Sequence, residues 1–225
     1  MDRAARKRPS IGTGPITVAD RPPLRPVDAA SLIVFDGPSS DPRVLMGKRS
    51  ARHAFMPSVY VFPGGRVDVS DGALSKRLLP EHDARRIHQS LGSRATDRRV
   101  RAIANAAIRE TMEETGYSLG EHSPDAPLRY VARAVTPPGR TRRFDARFLA
   151  CPAAHLIETD RKPTDELEDL RWVRLKSLDE LPFARITEVI LREFRDRLRA
   201  DPDLEQDLPI PHHRMRNRSF VRLLD

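Results

Sequence analysis

The sequence predicts an α/β fold in which a mixed β-sheet is covered by helices. Short apolar runs close in Gly or Pro turns, amphipathic helical stretches lie between them, and the two kinds do not alternate strictly as βαβ units would. At 225 residues the chain suits one domain of about 150–200 residues with tails, and is too short for two well-built domains.

Residues 1–25 read as a leader. Arg3, Arg6, Lys7, Arg8, Arg21 and Arg25 against Asp2 and Asp20 give six minus two, a net of +4 and half of the chain's +8. The segment is Pro-rich and has few large apolar groups, so burial cannot offset its ordering entropy. Gly12-Thr13-Gly14 lies here without a preceding strand and is not a phosphate loop. The expected domain covers 26–200, and 201–225 reads as a solvated tail carrying His212 and His213.

Within the domain, Ala30-Ser31-Leu32-Ile33-Val34-Phe35 is an apolar run closed by Asp36-Gly37-Pro38, a buried strand and turn. Residues 43–48 look like its hairpin partner. Residues 59–62 form another strand candidate, stopped by Pro63-Gly64-Gly65. Later strands are expected at 128–134, 143–150 and 170–173, and helices at 83–91, 97–115 and 183–199.

Composition narrows the function classes. The single cysteine, Cys151, excludes an internal disulfide framework and multi-cysteine metal sites, and reads as a buried small residue. No apolar run approaches the ~20 residues that cross a bilayer, and the basic start is not followed by the apolar stretch of a secretory signal. The reading is a cytoplasmic protein with no membrane partner. Forty Lys+Arg include only five lysines; arginine forks suit phosphate or carboxylate contacts, and a coding bias would give the same count. Six basic leader residues without interleaved aromatics are a weak nucleic-acid footprint, so nucleic acid is not the expected partner. His53 reads as an exposed turn histidine.

The stretch 98–117 carries the chemistry. At 100° per residue Val100, Ile103, Ala104, Ala107, Ile108, Thr111 and Thr115 share one broad face that can pack on a sheet. Glu110, Glu113 and Glu114, spaced i, i+3, i+4, form a second stripe beside it, and Gly116 is placed to end the helix left-handed. Three crowded carboxylates repel one another. They are either a solvated acidic face or a site where a hard divalent cation relieves the repulsion. Arg109 just before the stripe and the double glycine upstream, where backbone can approach a ligand closely, favour the second.

Arg109-Glu110-Thr111-Met112-Glu113-Glu114-Thr115-Gly116-Tyr117 resembles the second half of the Nudix hydrolase signature, G-x5-E-x7-R-E-U-x-E-E-x-G-U, at every charged position and at the glycine. Thr111 and Tyr117 are loose substitutes where the family has bulky aliphatic residues (U). Gly65 is the first glycine and Asp71 stands at the first glutamate. From Asp71 to Arg109 there are 37 residues rather than 7, an insertion of 30 centred on about 72–98. The resemblance implies a Nudix-type α/β/α sandwich with a helical insertion inside the signature. It further implies that Glu110, Glu113 and Glu114, helped by the Gly65 carbonyl, hold Mg²⁺ or Mn²⁺, that Arg109 orients the glutamates, and that Glu114 or Glu166 is the general base.

Arg49, Ser50 and Phe62-Pro63-Gly64-Gly65 fall in the register of the coenzyme A-cleaving Nudix motif, L-L-T-x-R-[SA]-x3-R-x3-G-x3-F-P-G-G, with Ala54 at its second arginine and Ser58 at its glycine. The long insertion and residues 136–148 look like the acyl-coenzyme A diphosphatase branch. This likeness implies a pyrophosphohydrolase acting on a nucleoside diphosphate derivative such as coenzyme A or acyl-coenzyme A, yielding an acyl phosphopantetheine and 3′,5′-adenosine diphosphate. Arg49, Ser50, Gly64, Gly65, Arg142 and Arg143 are the substrate-binding candidates, with Arg140 beside them. The insertion is either a cap over the pocket or an idle surface helix pair. ADP-ribose, NADH or a dinucleoside polyphosphate are alternative substrates, a non-catalytic ligand-binding protein is the alternative class, and a homodimer stays open.

Overall fold

The apolar run at 30–35 becomes the central strand because both of its faces are buried. A computed structural model describes residues 24–50, 58–73, 76–216 and 219–225. The leader before residue 24, its Gly12-Thr13-Gly14, and His53 and Ala54 lie outside the described residues.

The strands in chain order are β1 (Val27–Asp36), β2 (Arg43–Arg49), β3 (Tyr60–Val61), β4 (Gly64–Arg66), β5 (Tyr117–Leu119), β6 (Arg129–Val135), β7 (Phe144–Pro152), β8 (Leu156–Glu158), β9 (Leu167–Arg174), β10 (Pro211–Arg216) and β11 (Ser219–Leu224). The helices are α1 (Glu81–Leu91), α2 (Asp97–Thr115) and α3 (Arg185–Ala200). Nine strands form one mixed sheet in the order β11-β10-β6-β7-β1-β2-β3, with β4 added on β1 and β9 on β2; β5 and β8 make a separate pair. β1 runs parallel to β7 and antiparallel to β2 and β4.

Alternation along β1 sorts its side chains between two cores. Ala30, Leu32 and Val34 join Ile87, Leu91, Val100, Ile103 and Ala107 under α1 and α2. Ile33 joins Ile190, Leu191, Phe194 and Leu198 of α3 on the opposite face, with Phe35 packed against them. Each fully buried aliphatic side chain contributes about 1.5–3 kcal/mol relative to exposure. The expected α/β/α sandwich is the observed one.

Helix α2 has the predicted bounds, set by its two caps. Thr96 Oγ1 accepts from the Arg99 N–H at 3.1 Å, a cap worth about 1 kcal/mol. At the other end Gly116 adopts φ +79° and its N–H reaches the Met112 carbonyl.

Two expectations are corrected. Residues 211–224 are not a tail: β10 pairs parallel with β6, His212 opposite Arg133, and β11 pairs with β10. His212 and His213 are buried, and Asp225 exchanges both backbone hydrogen bonds with Ile210. The buried positions of β10 are a proline and two histidines, so that strand shows no apolar alternation in the sequence. The insertion, in turn, is not an idle surface pair. Its described part holds one α-helix, α1, whose Ile87 and Leu91 are in the core and whose Asp83 accepts the Tyr130 N–H at 3.0 Å. Helix α1 lies beside Val100, about 15 Å along α2 from Glu110 at 1.5 Å per residue.

A charged network fastens α2 to the sheet. Arg147 on β7 is fully buried and bonds Asp28 Oδ1 at 2.9 Å, the Asp145 carbonyl at 2.9 Å and Ser90 Oγ at 3.2 Å. Asp28 also takes Arg99 of α2. Burial works against the Asp145 charge, but Arg133, Arg147 and Arg94 outweigh it and hold its carboxyl below the usual range. Replacing Arg147 by Met strands Asp28 and Asp145 with less compensation. It is expected to lower stability by about 3–5 kcal/mol, read as a lower urea midpoint with unchanged m-value.

Candidate active site

The double glycine forms β4, laid antiparallel along β1 with Gly64 opposite Ser31 and Gly65 opposite Ala30. Gly64 sits at φ +152°, and a Cβ there would lie 2.4 Å from the Ala30 carbonyl oxygen and 2.5 Å from Ser31 Cα, so backbone forbids any side chain. A Cβ on Gly65 would meet something different, the Glu110 carboxylate carbon at 2.5 Å and its oxygens at 2.6 Å. The bend therefore touches the acidic face of α2 directly.

Each predicted glutamate has a definite environment. Glu114 is 4% exposed, and one oxygen accepts the Gly64 N–H at 2.8 Å. Burial pushes its carboxyl up to about 8; the Gly64 bond and Arg49 oppose this, while Glu110 and Glu166 add repulsion. Burial also raises Glu110, against the ion pair with Arg109. Glu113 is shared between two arginines, Oε2 with Arg109 Nη1 at 3.1 Å and Oε1 with Arg161 Nη2 at 3.3 Å.

Arg109 is the hub. Its guanidinium bonds Asp71 Oδ1 at 2.8 Å and Oδ2 at 3.1 Å, Glu110 Oε1 at 2.7 Å and the Arg66 carbonyl at 3.0 Å, besides Glu113. The Asp71 bonds, chiefly, drive its pKa further up. Asp71 is itself 3% exposed, accepts the Asp68 N–H at 2.8 Å, and its carbonyl accepts from Asn105 Nδ2 at 2.8 Å. The aspartate in the family's glutamate position thus braces Arg109, a role the sequence did not disclose because its spacing to Arg109 is stretched.

A second wall comes from residues 159–166. Thr159 donates its N–H and its hydroxyl to the Gly116 carbonyl, both at 2.8 Å, and the Thr164 N–H reaches the Glu113 carbonyl at 2.8 Å. Glu166 follows, exposed, and is close enough to Glu110, Glu114 and Arg49 to act on their charges. The Ser50 N–H donates to the Glu166 carbonyl at 3.1 Å, so the Arg49-Ser50 pair abuts this wall. Burial works against the Arg49 charge, which Glu114 and Glu166 support, and Arg142 faces it. Arg143 turns away: Nε bonds the Thr136 carbonyl at 3.0 Å and Nη1 the Leu24 carbonyl. No contact draws the exposed Arg140 to the glutamates. Ser58, at the motif's glycine, has φ +60°, a region that favours glycine.

The donor set fits a hard divalent cation. Glu110, Glu113 and Glu114 offer oxygens only, and the Glu114 charge is met by one N–H and opposed by its burial. Among the described residues no three acidic, His or Cys side chains already form an ion-sized cage, because Glu110 and Glu113 lean onto Arg109. An ion must compete with the guanidiniums that hold them, Arg109 at Glu110 and Arg109 or Arg161 at Glu113.

Residues 98–194 match the family model described as the NUDIX domain. The chain is 34% identical over 149 residues to the acyl-coenzyme A diphosphatase NUDT19 of Gallus gallus, a match covering 58% of this chain and 34% of that protein. The chain thus spans about a third of that curated relative. A NUDIX hydrolase structure from Alicyclobacillus acidocaldarius superposes with TM-score 0.54 at 28% identity, over 75% of this chain and 90% of that one. A MutT NUDIX hydrolase from Burkholderia pseudomallei gives TM-score 0.48 at 19% identity over 76% and 98%.

The two glycines separate fold from site. Gly64→Ala must displace β1 backbone and is expected to lower the melting temperature by several degrees. Gly65→Ala displaces only the end of the Glu110 side chain, so the fold survives while Mn²⁺ affinity, measured by calorimetric titration, falls about tenfold, the equivalent of one weakened ligand at 1.4 kcal/mol. The Glu114 shift has its own signature in chelator-treated protein. Between about 4.5, its ordinary value, and about 8 the folded state holds a proton that the unfolded chain has released, so this group's contribution to stability falls as pH rises through that window. Urea unfolding at pH 5 and pH 8 should show a steeper loss for the wild type than for Glu114→Gln; equal slopes would remove the burial argument.

Proposed function

We propose that the chain is a pyrophosphohydrolase of the Nudix superfamily that uses Mg²⁺ or Mn²⁺ to cleave the diphosphate of a nucleoside diphosphate derivative, with acyl-coenzyme A or coenzyme A as the substrate class. The observation that carries the reading is the contact between the doubled glycine and the acidic stripe of α2. Glu114 is bonded to Gly64 and Glu110 lies against Gly65, so the bend and the carboxylates adjoin.

Glu110, Glu113, Glu114 and the Gly65 carbonyl would hold the ion. Bound there, a divalent cation supplies charge against the diphosphate oxygens and makes the attacking water more acidic. Arg109, held by Asp71, keeps Glu110 and Glu113 on one side of the helix. With one Glu114 oxygen committed to Gly64, the exposed Glu166 is the carboxylate suited to accept the proton from water. Arg49, next to Ser50 and faced by Arg142, is the cation suited to a phosphate of the substrate.

Support for coenzyme A over other diphosphates comes from the Arg49-Ser50 and Phe62-Pro63-Gly64-Gly65 register and from the curated relative named as an acyl-coenzyme A diphosphatase. The products would be an acyl phosphopantetheine and 3′,5′-adenosine diphosphate. The deciding experiment assays purified protein with Mg²⁺ or Mn²⁺ on coenzyme A, an acyl-coenzyme A, ADP-ribose, NADH and a diadenosine polyphosphate. Coenzyme A derivatives should turn over fastest. Hydrolysis of only the others would replace the substrate, and inactivity on all would replace catalysis by ligand binding. Glu113→Gln should lower kcat by two or more orders of magnitude, about 3 kcal/mol of transition-state stabilisation, with the melting temperature within a few degrees of wild type.

A further inference from the structure

We infer that Arg161 guards Glu113 until an ion binds and then serves as a cationic ligand of the substrate diphosphate, a step that rests on the proposed reading of the site. Glu113 stands between two unequal arginines. Arg109 on one oxygen is also fixed by Asp71, Glu110 and the Arg66 carbonyl. Arg161 on the other oxygen is half exposed, and among the described residues Glu113 is the only acceptor of its guanidinium.

An ion that takes Glu113 must displace one of the two. An exposed pair with a single contact is the weaker, so Arg161 is the one released. Its backbone does not leave with it. Thr159 is tied to the Gly116 carbonyl and Thr164 to the Glu113 carbonyl, so Arg161 stays at the C-terminal end of the acidic stripe. A freed guanidinium held there meets the oxygens of a diphosphate drawn to the same carboxylate-bound charge, and its planar fork suits them. Nothing in the sequence marks this residue: Arg161 lies 47 positions past Glu114 and outside the signature.

The two halves of the inference have opposite signs, which a merely structural arginine would not produce. In calorimetric titration of the full chain with Mn²⁺ alone, Arg161→Gln should bind the ion about two- to fivefold more tightly than wild type, the range spanned by an exposed ion pair. In steady-state hydrolysis with saturating Mn²⁺ the same variant should raise KM for the diphosphate about tenfold or more, with a smaller fall in kcat. Arg161→Lys should recover part of the KM. Unchanged or weaker Mn²⁺ binding by Arg161→Gln overturns the guarding role, and an unchanged KM overturns the substrate role. A fall in kcat alone would make Arg161 a tether of the Glu166 segment and would also overturn the inference. Failure of the wild type itself to bind Mn²⁺ would instead remove the metal-site reading beneath it.

Discussion

The site is organised around the Arg109 guanidinium. Without it, Glu110, Glu113 and Glu114 project from adjoining turns of one helix with only mutual repulsion between them. With it, two of the three are drawn to one cation, and that cation is anchored on the far side by a nearly buried aspartate. Asp71 accepts two hydrogen bonds from Arg109, one on each carboxylate oxygen, and fixes the guanidinium plane. A lysine could not replace this arginine, because a point charge cannot bond Asp71 twice while holding Glu110, Glu113 and the Arg66 carbonyl.

The scaffold delivers this hub to the glycine bend through β1. That strand pairs with β4 on one edge, receives β7 in parallel on the other, and offers alternate residues to the two helical layers. The position of α2 over β1 is set by apolar contacts near its middle and by the Arg99–Asp28–Arg147 chain near its start. The Glu114–Gly64 bond then secures its end. A helix held at its start against β1 and at its end against β4 leaves little freedom to its acidic stripe, so the carboxylates cannot relax apart to relieve their repulsion. Burial raises the carboxyl pKa values of Glu110 and Glu114, and repulsion from the neighbouring glutamates adds to it.

Much of this was legible in the sequence where the periodicity was strong. Helix α2 has the bounds read from its pattern because Thr96 and Gly116 cap a clear apolar face, and β1, β2, β6 and β7 are apolar runs between turn residues. The C-terminal hairpin was hidden because a strand whose buried residues are His212 and His213 carries no apolar alternation. In the site, the glutamates, Arg109 and the glycines could be read from local spacing. Asp71 and Arg161 could not, since each reaches the stripe through the fold. Arg143 had the right type and neighbourhood, yet its guanidinium is spent on the Thr136 and Leu24 carbonyls.

The insertion that splits the signature is tolerated for a related reason. Its two ends, the turn holding Asp71 and the start of α2, are pinned independently: Asp71 by its bonds to Arg109 and Asp68 and by the Asn105 side chain, α2 by its Thr96 cap and the Asp28 network. Loop-closure entropy rises only with the logarithm of loop length. Thirty extra residues therefore cost little once the contacts at both ends are made, and the segment offsets part of that cost by burying Ile87 and Leu91. Conserving the distance along the chain is unnecessary when one arginine conserves the distance in space.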